Sequence, residues 1–262
     1  MDRARRGVVL AAVGAALPAR ADLAALSVLA DLPALIATVR ASVLPVGTYS
    51  ATDSPRFGFR GTGFVVGDGN LVATNFHVLA PGADSDSGPR MALLRGRGPE
   101  GAEVRPARVV ATDREHDLAL LRFEGAALPA LRLADAAVRE GLAIALMGFP
   151  IGGTLGFAPV THHGIVASLT TVALPAANAR QLDARAVARL RGDGNFEVIQ
   201  LDATAYPGNS GGPVFDVETG AVIGLVNMVL VKGSRESALS NPTGISYAIP
   251  VRHLAELLLQ AR

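Results

Sequence analysis

What most limits the folds open to this chain is a succession of short β-type runs, punctuated by turn residues, that starts near Ala41 and continues almost to the C-terminus. Gly63-Phe64-Val65-Val66, Leu71-Val72-Ala73-Thr74, Val104 to Val110, Leu118 to Phe123 and Leu142 to Met147 come first. Ile165 to Leu169, Val198 to Leu201, Pro213-Val214-Phe215, Ala221 to Val231 and Ile245 to Ile249 follow. Runs of this length with Gly, Pro and Asp between them predict an all-β sandwich or barrel. Gly67-Asp68-Gly69-Asn70 has the composition of a tight hairpin turn, because Gly and Asn tolerate positive φ. Only the ends depart from this pattern. Leu23 to Val39 reads as a helical segment interrupted by Pro33, and Pro250 to Gln260 sets Leu254, Leu257 and Leu258 on one helical face. Three polar, Gly-rich stretches read as loops: Pro81 to Gly101, Ala176 to Asn195 (with a short helix allowed over Gln181 to Leu190) and Lys232 to Gly244.

Composition narrows the function classes. Of 262 residues 50% are apolar and 18% charged, which supports a packed core and excludes wholesale disorder. The formal net charge is +1 with no block of like charges, so nothing points to nucleic acid. With no Cys, disulfides, thiolate metal sites and a Cys nucleophile are all excluded. Arg3, Arg5 and Arg6, an apolar run from Gly7 to Leu17 and Ala19-Arg20-Ala21 form an export-signal pattern. That run is too short to span a bilayer, which takes about 20 residues. The expected organisation is a signal segment over 1–21, a helical segment over 22–40 and a catalytic unit over 41–262. Location is then periplasmic or secreted.

The chemistry concentrates in Tyr206-Pro207-Gly208-Asn209-Ser210-Gly211-Gly212-Pro213. A nucleophilic serine needs an accessible Oγ and backbone N–H groups aimed at the developing oxyanion. Gly208, Gly211 and Gly212 permit the sharp backbone that supplies both. Gly208, Asn209 and Ser210 are therefore the candidate oxyanion hole, with the N–H groups of Ser210 and Gly208 as its donors. A serine hydroxyl also needs a base, and Ala73-Thr74-Asn75-Phe76-His77-Val78-Leu79 offers His77 at the end of a strand. The base needs a carboxylate to fix its tautomer, and His116-Asp117-Leu118-Ala119-Leu120-Leu121 offers Asp117. Each residue alone has an ordinary structural explanation; the order His, Asp, Ser is what selects the chemical one. Activity is then expected to fall as His77 takes up a proton. His116 and Asp117 are expected on opposite faces of a strand, and His162 and His163 likewise, so His116, His162, His163 and His253 read as structural or surface residues. No metal site or cofactor is expected.

Gly61-Thr62-Gly63-Phe64-Val65-Val66, Thr74-Asn75-Phe76-His77-Val78, Asp117-Leu118-Ala119-Leu120-Leu121 and Gly208-Asn209-Ser210-Gly211-Gly212-Pro213 resemble the trypsin-like serine peptidases, most closely the bacterial HtrA/Deg branch. Gly148-Phe149-Pro150, Thr161 to Val166, Ile199 to Ala203 and Ile245 to Pro250 extend the likeness over about Ala41 to Leu258. The resemblance implies two perpendicular six-stranded β-barrels, here about 41–133 and 134–250, with a closing helix over 250–261. It implies a serine endopeptidase acting on unfolded or extended polypeptides through an acyl-enzyme, and extracytoplasmic protein quality control as its setting. A homo-oligomer is allowed, although the altered N-terminal context argues against the family's trimer. No PDZ domain is expected after the closing helix, the regulatory loop is expected to be short and to lie within Thr52 to Arg60, and the loop before Ser210 reads as expanded. Asn209 stands where the digestive branch places an Asp that pairs with a new N-terminus, so that mode of activation is not expected.

Thr204 occupies the position at which trypsin carries a carboxylate for Arg and Lys, so a cationic P1 side chain would be buried unpaired. Val226, Asn227, Met228, Gly244 and Ile245 are the expected pocket walls, which favours a small or medium apolar P1. Asn227, Met228 and Val229 are expected to pair with the substrate backbone. The competing reading is a non-catalytic module holding peptides or unfolded chains on the same fold. A glutamyl-specific peptidase is disfavoured because no His lies between Val198 and Pro250.

Overall fold

The computed structural model describes residues 31–85, 89–96, 102–150, 152, 156–172, 196–227 and 244–261. The expected signal segment, the loop Ala176 to Asn195, most of the loop Lys232 to Gly244, and Met228 and Val229 lie outside them.

Twelve strands close into two six-stranded antiparallel barrels. The first contains Val43–Tyr49 (β1), Phe57–Val66 (β2), Leu71–Asn75 (β3), Met91–Arg95 (β4), Glu103–Asp113 (β5) and Leu118–Phe123 (β6), joined in the order β1-β2-β3-β6-β5-β4. The second contains Ala143–Gly148 (β7), Val160–Val172 (β8), Phe196–Asp202 (β9), Pro213–Asp216 (β10), Val222–Val226 (β11) and Ile245–Pro250 (β12), joined as β10-β11-β12-β9-β8-β7. The all-β double barrel expected from the sequence is thus the observed fold, and the closing helix spans Val251–Gln260.

Strand alternation explains why so many runs read as continuously apolar. In β6, Ala119, Leu121 and Phe123 fill the first barrel, whereas Leu118 and Leu120 face outward into a second layer of core. In β7, Ile144 and Leu146 fill the second barrel, and Ala145 and Met147 face that same shared layer. Phe64, Val66, Phe149, Phe215 and Leu225 complete it, together with Leu254 and Leu257 of the closing helix. A strand at this junction is buried on both faces, so it carries no polar alternation. The shared layer is what holds the barrels together, and its rim is where residues from both can meet.

One expectation changes. The polar stretch Pro81 to Gly101 contains β4, whose Met91 to Leu94 are buried between β1 and β5. Its brevity hid it among turn residues. The short regulatory loop expected within Thr52 to Arg60 ends where β2 begins at Phe57, and Gly58 already pairs with Thr48. Residues 31–40 are helical, with Pro33 in the first turn of the described helix, and the rest of the expected segment lies outside the described residues. Leu32, Leu35, Ile36 and the buried Val39 pack against the shared core, and that apolar stripe fixes the helix to it.

Candidate active site

β3 ends at Asn75 and passes directly into a single 3-10 turn, Phe76–Val78, which lifts His77 off the sheet. Arg60 of β2 fixes the far side of this turn, donating from Nε to the Val78 carbonyl at 2.6 Å and from a guanidinium nitrogen to the Leu79 carbonyl at 2.8 Å. Asp117 ends the four-residue turn between β5 and β6 and has φ 54°, a left-handed conformation that Asp adopts more readily than most side chains. The turn is held in that shape. The Asp117 carbonyl accepts from Phe76 N–H at 3.0 Å and from Asn75 Nδ2 at 3.1 Å.

This backbone presents the carboxylate to the histidine twice. Asp117 Oδ1 accepts the His77 backbone N–H at 2.8 Å, and Oδ2 lies 2.6 Å from the ring Nδ1. A carboxylate oxygen accepts, so Nδ1 carries the hydrogen and Nε2 is left to act as a base. Asn227 adds a third contact, its Nδ2 donating to Asp117 Oδ2 at 2.8 Å. Asn227 directly follows β11 of the second barrel, so the carboxylate of one barrel is gripped by a side chain of the other.

Ser210 lies in the turn before β10, with only 6% of its surface exposed. Two glycines decide how closely this turn can approach the first barrel. Gly211 has φ 83°, and a Cβ on it would collide with the Thr62 carbonyl and the Thr74 hydroxyl. It would also lie 3.0 Å from the backbone nitrogen of Asn75, the residue that leads into the His77 turn. Gly61 lies between Val78 and Ser210, where a Cβ would fall 3.0 Å from the Ser210 carbonyl. Hydrogen bonds cross the same seam. Thr62 N–H donates to the Ser210 carbonyl at 2.9 Å, and the Thr62 hydroxyl donates to the Gly208 carbonyl at 2.6 Å. The Thr62 hydroxyl oxygen also accepts the Phe149 N–H at 3.1 Å. Gly211 N–H donates to the Val226 carbonyl at 2.9 Å, tying the turn to β11.

His77 and Asp117 are thus in contact, and the backbone around Ser210 packs against Gly61, Thr62 and Asn75 of the same barrel. Among the oxyanion candidates, Gly208 has φ 105°, a conformation that favours glycine. Asn209 is different. Its N–H is donated to the Tyr206 carbonyl at 2.9 Å, so it is not an oxyanion donor here. Its side chain is 0% exposed and fills the space facing Gly148. The pocket candidates separate likewise. Thr204 is half-buried, Gly244 has φ 71°, and Ile245 is 46% exposed at the start of β12. Val226, expected as a wall, has its side chain in the core of the second barrel. Its inward position on β11 turns it there, and it serves the turn through its carbonyl. Asn227, expected to pair with substrate, donates its N–H to the Tyr247 carbonyl at 2.9 Å. Its amide on Asp117 is the site feature that sequence reasoning missed; an Asn closing the buried run Val222 to Val226 was the available signal.

The remaining histidines have other surroundings. His116 is a turn residue rather than a strand residue, and it pairs with Asp113, Nδ1 to Oδ2 at 2.6 Å. His162 lies against Tyr206 with ring centroids 5.7 Å apart, and burial pushes its imidazole below the ordinary range. Among the described residues no cluster of three or more His, Asp or Glu side chains could hold a metal ion, and no helix is long and apolar enough to cross a membrane.

Comparison with known proteins gives this geometry a context. The family model of the trypsin-like peptidase domain matches residues 61–225, a span that includes His77, Asp117 and Ser210. A probable periplasmic serine endoprotease, DegP-like, from Pseudomonas putida (strain GB-1) is 31% identical over 191 residues, covering 73% of this chain and 32% of that protein. Its namesake from Chlamydia trachomatis serovar D is 31% identical over 192 residues, covering 73% of this chain and 31% of that protein. The chain therefore spans about a third of the length of these relatives. Among solved structures, Deg5 superposes with a TM-score of 0.59 at 23% identity, covering 86% of this chain and 90% of that one. The HtrA-type protease AlgW with decapeptide gives 0.60 at 21% identity, covering 88% and 67% respectively.

Proposed function

We propose that this chain, which belongs to the trypsin-like peptidase family with DegP-like and HtrA-type proteins among its relatives, is a serine endopeptidase. The observation that carries the reading is the Asp117–His77 pair set across the barrel seam from the glycine-flanked Ser210.

In this mechanism His77 Nε2 takes the Ser210 hydroxyl proton as Oγ attacks the peptide carbonyl carbon. Asp117 holds the Nδ1 hydrogen and stabilises the imidazolium, and Asn227 keeps Oδ2 aimed at the ring. The N–H groups of Gly208 and Ser210 meet the oxyanion. The imidazolium proton passes to the leaving amine as the C–N bond breaks. Water, deprotonated by the same ring, then hydrolyses the acyl-enzyme and restores Ser210. Thr204 gives no carboxylate to a cationic P1 residue, so small or medium apolar P1 side chains are the preferred substrates. Extended segments of polypeptide are the substrate class. A periplasmic or secreted setting follows from the relatives' names and the pattern at residues 1–21.

Labelling with a fluorophosphonate tests the reading. Wild type is expected to label, and Ser210→Ala to lose both labelling and peptide hydrolysis, the latter by at least about 10³-fold. Equal labelling of the two would overturn it. Faster cleavage after Arg than after Val or Leu would overturn the pocket assignment alone.

A further inference from the structure

The turn that carries Asp117 is held from its other end by contacts the mechanism above does not use. Asp113, the last residue of β5, accepts the backbone N–H of His116 on Oδ1 at 3.0 Å, and its Oδ2 lies 2.6 Å from the ring Nδ1. The His116 ring in turn stacks on the ring of His253, with centroids 3.7 Å apart and planes 16° from parallel. His253 belongs to the closing helix that follows β12. Phe196, the first residue of β9, closes the edge of the stack, 5.1 Å from His116 and 6.1 Å from His253. Asp117 touches His77, while the adjacent His116, tied back to Asp113, is stacked on the second barrel's helix.

The stack is poorly placed to carry a proton on His253. Among the described residues the buried His253 ring nitrogens have no hydrogen-bond partner, and Glu256 Oε2 lies 3.8 Å from Nδ1. Asp113 is taken up by His116, and Arg252 adds a positive charge whose partner is Glu197 of β9 at 3.0 Å. Two imidazolium rings face to face at this distance repel. Burial, and then the charge of the neighbouring His116, push the His253 imidazole below its ordinary 6.5. The sign follows: as pH falls below about 6.5 the unfolded chain takes the proton first, so the stack loses stability over that window.

We infer that His116 and His253 are positioning residues, an acid-labile clamp that keeps the Asp117 turn in register for His77. The clamp rests on the peptidase reading for its consequence in catalysis, and not for its existence.

Two measurements separate the two. Histidine ring resonances followed by NMR are expected to put the His253 midpoint below that of a free imidazole and to move it up in His116→Phe. The low-field proton of the His77–Asp117 hydrogen bond is expected to shift in a step at the His253 midpoint, a step absent from His253→Phe. For the rate of fluorophosphonate labelling, wild type is expected to lose several-fold more than His253→Phe as pH falls through the His253 midpoint. His253→Ala is expected to label several-fold more slowly at neutral pH, with Phe restoring the rate. If His253→Ala does not fold, the Phe variants carry the comparison. Identical acid limbs, or no His77 step in wild type, would overturn the clamp. A wild type that never labels overturns the peptidase reading instead, and the NMR steps then decide the clamp alone.

Discussion

Asp117 and Asp113 stand at the two ends of one β-hairpin turn, and each grips a histidine in the same way. In both, Oδ1 accepts the histidine's backbone N–H, and Oδ2 lies 2.6 Å from its Nδ1. What differs is the environment beyond the pair. The His77 turn adjoins the seam that carries Ser210, and a third donor, Asn227, bears on the carboxylate. The His116 ring is covered by His253 and edged by Phe196. An Asp–His hydrogen bond is therefore not a catalytic signature by itself. It becomes one when a nucleophile stands beyond the ring, and a structural staple when another ring does.

The largest expected break in this symmetry comes from neutralising each carboxylate. Asp117→Asn is expected to lower kcat by about 10⁴-fold, since an amide no longer selects the tautomer that leaves Nε2 basic. Asp113→Asn is expected to cost less than about tenfold, because its histidine takes no part in proton transfer. Steady-state hydrolysis of one apolar-P1 peptide by both variants reads the contrast, and equal losses would erase the distinction. Asn227→Ala comes next. Removing a hydrogen bond to a charged acceptor costs about 1.5–3 kcal/mol, so kcat should fall roughly ten- to hundredfold with little change in KM. A rise in KM alone would instead assign Asn227 to substrate binding. The smallest effect is on stability. Burial raises the Asp113 carboxyl, but hydrogen bonds from His116 and Glu115 outweigh it and hold the group below its ordinary 3.8. A depressed carboxylate contributes stability above that value and loses it on acidification. Unfolding midpoints of Asp113→Asn should accordingly vary less with pH below about 4 than those of wild type.

Much of this arrangement was legible in the sequence because its signals are local. The turn residues around Ser210, the strand ends beside His77 and Asp117, and the spaced apolar runs each declare themselves within a few positions. What stayed hidden depends on register between distant segments. β4 is four buried residues amid polar ones, unreadable until β1 and β5 flank it. The Asn227 amide reaches Asp117 only because the two barrels share a core layer. The same is true of His253, whose partner lies in the other barrel's hairpin. Asn209 shows the same limit: the sequence places it in the oxyanion loop, but only the backbone trace reveals that its N–H turns back to Tyr206.

The absence of a side chain at Gly211 reaches beyond this one turn. Because the Thr62 carbonyl, the Thr74 hydroxyl and the Asn75 nitrogen occupy the space a Cβ would need, the two halves are cut to one another like key and lock. Exchanging first barrels between relatives is then a matching problem. A donor half would have to bring residues equivalent to 61–62 and 74–75 as a set, or the graft would close without a working seam. Shuffling at the level of whole barrels is thus restricted by a handful of backbone atoms rather than by the large apolar surface that joins them.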